Sequence, residues 1–377
     1  MKTDSPHILC VNPWIHDFAA FDFWAKPLGL LLLAAILREN GLKVSYIDCL
    51  DRFHPLETHP VKVHQDGRGP FRKQRIKAPY DLEKTGRSFS RYGILPEWFE
   101  ADLKKAGQPD LILVTSMMTY WASGVKETIE VIKKIYPNVP VVLGGIYASL
   151  CHDHALKTSG ADMVVHGPGE ILLPKIIQKF TGITIKDERL SALEPDLDSL
   201  PFPALDLQRR LSYVPLLTSR GCPFSCEYCA SSFLDPIIRR RSPDSIFEEI
   251  LHWHKQFSID NFAFYDDALL INAENHALSL FEKIVKSDLN LCFHTPNAVH
   301  IGAITGEVAD MMFRAGFKTL RMGLETADFS RNRHYDTKVP AENDFLMAVK
   351  HLNAAGFKKK QIGAYLLCGL PNQDFDQ

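Results

Sequence analysis

The sequence predicts two α/β domains in tandem: an N-terminal Rossmann-like (flavodoxin-like) parallel sheet, then a complete or partial TIM-like barrel. Three observations carry that expectation. Short apolar runs alternate with helical patterns, the alternation lapses once in an acidic, proline-containing stretch, and 377 residues of 46% hydrophobic content can bury two cores. A net charge of −2, from 43 basic and 45 acidic side chains, argues against a general nucleic-acid or anionic-membrane binder, with "RRRS" (239–242) a local exception. "MKTDSPHILCVNPW" lacks the charged and long apolar regions of a secretory signal. The densest apolar run, "LGLLLLAAIL" (28–37), is about half of the ~20 residues that span a bilayer. A cytoplasmic protein with no membrane partner is expected. Eight cysteines are too sparse for a disulfide scaffold, so a cysteine cluster here points to metal.

In the first half, strands are expected at "HILCVN" (7–12), "KVSYID" (43–48), "DLILVTS" (110–116), "VPVVLGG" (139–145) and "DMVVHG" (162–167). Helices fall between them, notably "PLGLLLLAAILRENG" (27–41), with proline at its start and glycine at its end, and "GVKETIEVIKKIYP" (124–137). Residues 52–100 are too long for an ordinary connection and read as an insertion or lid, whose charges form a solvated surface or a substrate clamp. The first domain covers 1–185. Acidic residues and prolines make 186–208 an extended linker, and 209–377 form the second domain.

In the second half, strands are expected at "YVPLLTS" (213–219), "NFAFYD" (261–266), "LCFHT" (291–295), "TLRMGL" (319–324) and "GAYLLC" (363–368). In "SPDSIFEEILHWHKQF" (242–257) Ser242 is placed to cap a helix and Pro243 to occupy its first turn. Evenly spaced βα units imply a barrel whose chemistry sits at the carboxyl ends of its strands.

Directly after the first of these strands comes "CPFSCEYC", with Cys222, Cys226 and Cys229. A structural zinc needs four ligands, and no second cysteine pair follows at the right spacing. His252 and His254 lie two apart on a predicted helix and point in different directions, although Cys292 or Cys368 would be able to complete a site. Three thiolates on a 4Fe-4S cluster leave one iron without a protein ligand.

The stretch matches the CxxxCxxC signature of the radical S-adenosylmethionine (SAM) superfamily, including the aromatic Tyr228 before the third cysteine. The resemblance implies that the open iron binds the amino and carboxylate groups of SAM, and that reductive cleavage yields a 5′-deoxyadenosyl radical. It continues through "NFAFYDDALLIN", "FHTPNAVH", "LRMGLETAD" and "YLLCGLPNQ". In the family's terms Asp266, Asn297 and Glu325 are SAM-binding candidates; read alone, Asp266 with Asp267 equally caps a turn, and Pro296-Asn297 forms one. Arg321 pairs either with SAM carboxylate or with an acid nearby, and Cys368 reads as core. Such barrels have six strands, and this sequence reaches Gln377 soon after its fifth, so the barrel is expected to be incomplete.

The first half resembles the cobalamin-binding domain that precedes many radical SAM domains, through "VNPWIHDFAAFDFWAKPLGLLLLAAILRENGLKVSYID", "LILVTSMMTY", "VVLGGIYASL" and "ADMVVHGPGE". No DxHxxG motif is present, so no cobalt-ligating histidine is expected from that source. The resemblance makes Ser116, Thr119, Gly144, Gly145, Gly167 and Gly169 cofactor-binding candidates, while each glycine pair also suits a plain strand-to-helix turn. His166 and Pro168 depart from the family's acidic-Gly-x-Gly-Glu pattern. Trp14, Phe18, Phe21, Phe23 and Trp24 either cover a corrin face or pack a core.

The function implied is that of a radical SAM enzyme using a 4Fe-4S cluster, SAM and cobalamin, with methyl transfer to an unactivated carbon of a small-molecule substrate. An electron donor such as flavodoxin or ferredoxin is implied as partner. Two alternatives stand beside it: a radical SAM enzyme whose N-terminal domain binds substrate or partner instead of cobalamin, and a non-catalytic metal-binding scaffold. No catalytic side chain is singled out by the sequence.

Overall fold

The computed structural model describes residues 5–190, 195–326, 329 and 341–369. Two compact units are present, Met1–Leu211 and Ser212–Gln377.

The first unit is built on strands β1 (His7–Asn12), β2 (Lys43–Asp48), β3 (Leu111–Val114), β4 (Val141–Leu143) and β5 (Met163–Val164). Their order is β5-β4-β3-β1-β2, and every neighbouring pair is parallel. This is the flavodoxin-like 2-1-3-4-5 order, with its switch point between β1 and β3. All six residues of β1 are buried, as a strand covered on both faces requires. Ile8 and Cys10 enter a layer with α1 (Leu28–Glu39) and α4 (Gly169–Thr181), and burial pushes the Cys10 thiol up to about 12. Leu9 and Val11 enter the opposite layer with α2 (Pro96–Ala106) and α3 (Ala122–Ile135). The predicted proline start and glycine stop of α1 both hold: Leu31 N–H donates to Pro27 O (3.1 Å), and Gly41 ends the helix at φ +76°.

Residues 52–100 are not a loose lid. Ser90–Tyr92 pairs antiparallel with both Ile15–Asp17 and Lys73–Arg75, and Phe21–Asp22 pairs with Gly69–Pro70. Ile15, Leu50, Phe71 and Tyr92 form a small core of their own. Trp14 packs in the sheet core with Leu9, Val11 and Phe99, and the indole N–H groups of Trp14 and Trp24 donate to Ile94 O and Asp66 O, both at 2.8 Å. At the base of the insertion Arg52 Nε lies 3.1 Å from Asp22, with both side chains less than 5% exposed. Arg52 Nη2 also donates to Gly67 O at 2.6 Å.

The stretch 186–208, expected as an extended linker, instead straps onto the first unit. Leu190, Leu197, Leu200 and Ala204 insert beside α1 and α4, and Ala204 N–H donates to Leu31 O at 2.9 Å. Its acids have partners too. Arg38 holds both oxygens of Asp206 at 2.9 and 2.7 Å, and Arg189 binds Asp187, keeping that carboxyl at about 2 through its hydrogen bonds.

The second unit has strands β6 (Val214–Leu216), β7 (Asn261–Phe264), β8 (Cys292–His294), β9 (Phe317–Glu325) and β10 (Ile362–Leu366), neighbours in sequence order and parallel throughout. Crossover helices include α5 (Pro243–Phe257), α6 (Ala277–Lys286), α7 (Gly306–Arg314) and α8 (Glu342–Ala355). Ser242 caps α5 as expected, accepting from Ser245 N–H at 3.2 Å. Phe264 stacks on Phe317 at 5.5 Å and 9°, and Phe281 of α6 meets Phe317 edge-on at 5.0 Å. The turn read after the fifth strand lies, from residue 370 on, outside the described residues.

Replacing Arg52 would remove the cation from beside the buried Asp22 carboxylate, which keeps the Ala25 N–H as a donor at 3.1 Å. Arg52→Ala is expected to destabilise the first unit by about 3–5 kcal/mol, read as a lowered urea midpoint; an unchanged midpoint would show that the pair contributes nothing to the insertion.

Candidate active site

The cysteine loop leaves the carboxyl end of β6 through a short antiparallel ribbon, Ser219–Arg220 with Arg239–Arg240. Gly221 follows at φ +80°, and a Cβ there would sit 2.6 Å from Ile237 O and 2.8 Å from Asp235 O. Only glycine fits a left-handed residue so close to backbone. Cys222 and Cys226 are buried and Cys229 is partly exposed; all are free thiols. Cys229 N–H donates to Cys226 O (3.0 Å), its thiol donates to Ser231 Oγ (3.2 Å), and Ser231 N–H donates to Cys229 Sγ (3.5 Å). Phe224, between the first two cysteines, stacks on His300 at 4.7 Å and 9°. Tyr228 is partly buried in the same loop.

Charged and hydroxyl groups fasten the root of this loop. Asp266, at the end of β7, accepts from Thr218 N–H (3.1 Å), Thr218 Oγ1 (2.6 Å) and Ser219 Oγ (2.6 Å). Arg241 N–H donates to Thr218 O at 2.9 Å, and the Arg241 guanidinium pairs with buried Glu249 of α5. Thr218, Ser219, Gly221, Arg241 and Glu249 were not singled out in the sequence. The one available signal was the glycine directly before the first cysteine.

Parallel pairing brings the other strand ends to the same edge of the sheet. Asn297, after β8, is exposed, and its amide donates to Tyr265 O at 2.6 Å. Arg321 N–H donates to Thr295 Oγ1 (3.0 Å), and the Arg321 guanidinium lies across Gly363, where a Cβ would come within 3.0 Å of Nη1. Glu325 ends β9 at φ +63°, where the ladder to β10 shifts register. For a side chain of this size that conformation costs about 1–2 kcal/mol, a strain found at functional positions. Cys368, read as core, is exposed.

In the first unit the six candidates divide. Ser116 is buried; its hydroxyl donates to Gly144 O (2.6 Å) and accepts from Ala148 N–H (3.3 Å). Gly145, at φ +94°, would place a Cβ 2.4 Å from Ser116 O, and a Cβ on Gly169 would reach Leu33 at 3.0 Å. Ser116, Gly144 and Gly145 thus join the ends of β3 and β4 closely, and Gly169 brings the start of α4 against Leu33 of α1. Thr119 opens a 3-10 turn, Thr119–Trp121, beside exposed Met118 and Tyr120, and Ile146 is exposed after β4. Gly167, at φ +91°, is exposed with nothing within 4 Å of a Cβ. This edge offers a flat macrocycle an apolar rim and a bare backbone. His16, in the short strand Ile15–Asp17, is buried with Nε2 2.8 Å from Glu127.

Among the described residues no three His, Cys, Asp or Glu side chains converge on one point to hold a single metal ion. A structural zinc requires that convergence. A four-iron cluster takes one thiolate per iron corner, so its ligands stand apart, and three cysteines in one loop suit it.

A thiolate triad at the carboxyl edge of a parallel βα sheet, following a flavodoxin-like domain, places the protein among the iron-sulfur barrels. Residues 216–377 match the Radical SAM superfamily and residues 91–177 the B12 binding domain. The chain therefore carries a radical SAM domain over 216–377 and, ahead of it in the sequence, a B12-binding domain over 91–177. It is similar to the cytidylyl-2-hydroxyethylphosphonate methyltransferase of Streptomyces wedmorensis, 23% identical over 85% of this chain and 65% of that protein. An uncharacterised methyltransferase of Pyrococcus horikoshii is 25% identical over 72% of this chain and 63% of its own. The chain therefore spans less than two thirds of the length of these curated relatives. The structure of the radical SAM methyltransferase TsrM from Kitasatospora setae, solved with cobalamin and a 4Fe-4S cluster, superposes over 98% of this chain and 70% of its own, with TM-score 0.68 and 17% identity. That likeness shows a shared fold.

Gly221→Ala is expected to leave the helical content intact while most of the bound iron and the cluster's visible absorption are lost after anaerobic reconstitution. Full iron loading of that variant would mean that the loop tolerates a different path.

Proposed function

We propose that the protein is a radical SAM enzyme that cleaves SAM reductively and, with cobalamin, transfers a methyl group to a carbon of a small-molecule substrate. The observation that carries this reading is the loop at the carboxyl edge of the barrel that holds Cys222, Cys226 and Cys229 within eight residues. Cys222, Cys226 and Cys229 would hold the cluster. When bound, the cluster supplies one electron to the SAM sulfonium, and cobalamin supplies the methyl group.

The remaining work belongs to side chains. Asn297, Glu325 and Tyr228 stand at or beside strand ends where SAM's polar groups would lie, and Glu325 is held there at the cost of backbone strain. Thr119 and Gly167, with Met118, Tyr120 and Ile146, form the accessible part of the cobalamin edge; Ser116, Gly144, Gly145 and Gly169 keep that edge in shape. A one-electron donor such as flavodoxin or ferredoxin and a cytoplasmic location accompany this reading. No helix among the described residues is long and apolar enough to cross a membrane.

A second reading has support of its own: because Ser116, Gly145 and Gly169 are explained by internal packing, the first unit would be free to bind substrate or a partner instead of cobalamin.

Under anaerobic, reducing conditions the reconstituted protein should convert SAM to 5′-deoxyadenosine, and Cys226→Ala should make none; product formation by the variant at the wild-type rate would refute the assigned ligand. Titration with cobalamin, followed by its visible absorption, tests the first unit separately. Gly167→Val, which adds bulk on the exposed edge, should weaken that binding about tenfold, or about 1.4 kcal/mol, while iron content stays at the wild-type level. Absence of cobalamin binding by the wild type would select the second reading.

A further inference from the structure

Asp266 carries a cost that the proposed function leaves unexplained. It is 3% exposed, and its hydrogen-bond donors, Thr218 N–H, Thr218 Oγ1 and Ser219 Oγ, are all neutral. Burial holds its carboxyl above the usual carboxylate range, and those hydrogen bonds offset only part of the rise. The basic group packed against the same turn, Arg241, is spent on Glu249. Fixing a turn would need only an amide, which avoids the desolvation of a charge.

Its position gives the charge a use. Thr218 is clamped on both sides, its N–H to Asp266 (3.1 and 3.2 Å) and its carbonyl to Arg241 N–H (2.9 Å). Ser219 begins the ribbon, Gly221 turns, and Cys222 follows, so the carboxylate anchors the backbone three residues ahead of the first thiolate. Both oxygens of Asp266 are turned toward that backbone. A buried negative charge near an iron-sulfur cluster disfavours its reduction, because reduction adds a second negative charge in a medium that screens poorly.

We propose that Asp266 is a positioning residue of the iron-sulfur site: it sets the path of the chain into Cys222 and lowers the cluster's reduction potential, without touching SAM. This rests on the radical SAM reading of the cysteine loop. It reassigns Asp266 from cofactor contact to support.

Asp266→Asn keeps the shape and removes the charge; the Thr218 and Ser219 hydroxyls can turn to meet the amide. In reconstituted full-length protein the variant is expected to keep wild-type iron content and wild-type SAM affinity. Its cluster should be reduced more readily, by about tenfold in the reduction equilibrium, which is about 59 mV for one electron, measured by EPR-monitored potentiometry. A cluster-loaded variant with the wild-type potential overturns the proposal, as does a tenfold loss of SAM affinity at unchanged potential. If Asp266→Asn fails to hold a cluster, Ser219→Ala decides: it keeps the charge and removes one anchor, so an altered EPR spectrum of the reduced cluster supports positioning and a wild-type spectrum refutes it. Wild-type protein that assembles no cluster would sink the radical SAM reading itself, before any variant is compared.

Discussion

Parallel strand pairing is the constraint on which the rest of this molecule depends. A parallel neighbour can be reached only by a crossover, and right-handed crossovers bring every strand's carboxyl end to one edge. In the second unit this collects the cysteine loop after β6, Asp266 after β7, Asn297 after β8 and Glu325 at the end of β9, residues up to about a hundred positions apart, with none of them needed to hold the sheet together. In the first unit the same rule places Ser116, Gly145 and Gly167 along one rim. The interior does the complementary work: β1 buried on both faces, and the stack of Phe264 on Phe317, leave the rims free to vary.

What the sequence disclosed follows from how local each signal is. The cysteine triad lies within eight residues and was legible as a cluster motif, and each strand announced itself as an apolar run. The cap on α5 needs three consecutive residues, and it formed where expected. The role of Asp266 was not legible, because its partners Thr218 and Ser219 are 48 and 47 residues away and a carboxylate after a strand reads equally as a ligand or a turn former. The strap at 186–208 was missed for a related reason. Its leucines sit singly between acids and prolines with no helical or strand period, and only the tertiary structure shows that Arg38 and Arg189 meet those acids while the leucines dock on α1.

Glycines and aromatics show where pattern reading stops. Gly145 and Gly169 look alike as turn residues, yet the first is demanded by φ and by Ser116 O, the second by the Leu33 side chain. Gly167 shares the positive φ but has open space in place of a neighbour. That difference, not the presence of glycine, leaves Gly167 the one of the three with open space beside its backbone. Likewise the aromatic stretch divides: Trp14 and Trp24 are buried with their indole N–H groups on Ile94 O and Asp66 O, whereas Phe21 is exposed.

The two rims also differ in how they bear cost. At the first unit's rim the hydroxyl of Ser116 is satisfied by Gly144 O and Ala148 N–H, the glycines are accommodated by backbone geometry, and the charge buried there, Glu170, lies in the first turn of α4. At the cysteine edge a carboxylate is buried among neutral donors, an arginine is tied to a buried glutamate, and Glu325 is held in a left-handed conformation. Unfavourable features of this kind persist only where surrounding packing over-determines them, and here they concentrate at the β6, β7 and β9 ends. The left-handed backbone at Glu325 therefore sets the cysteine rim apart from the first unit's rim, where the positive φ values of Gly145 and Gly167 fall on glycine.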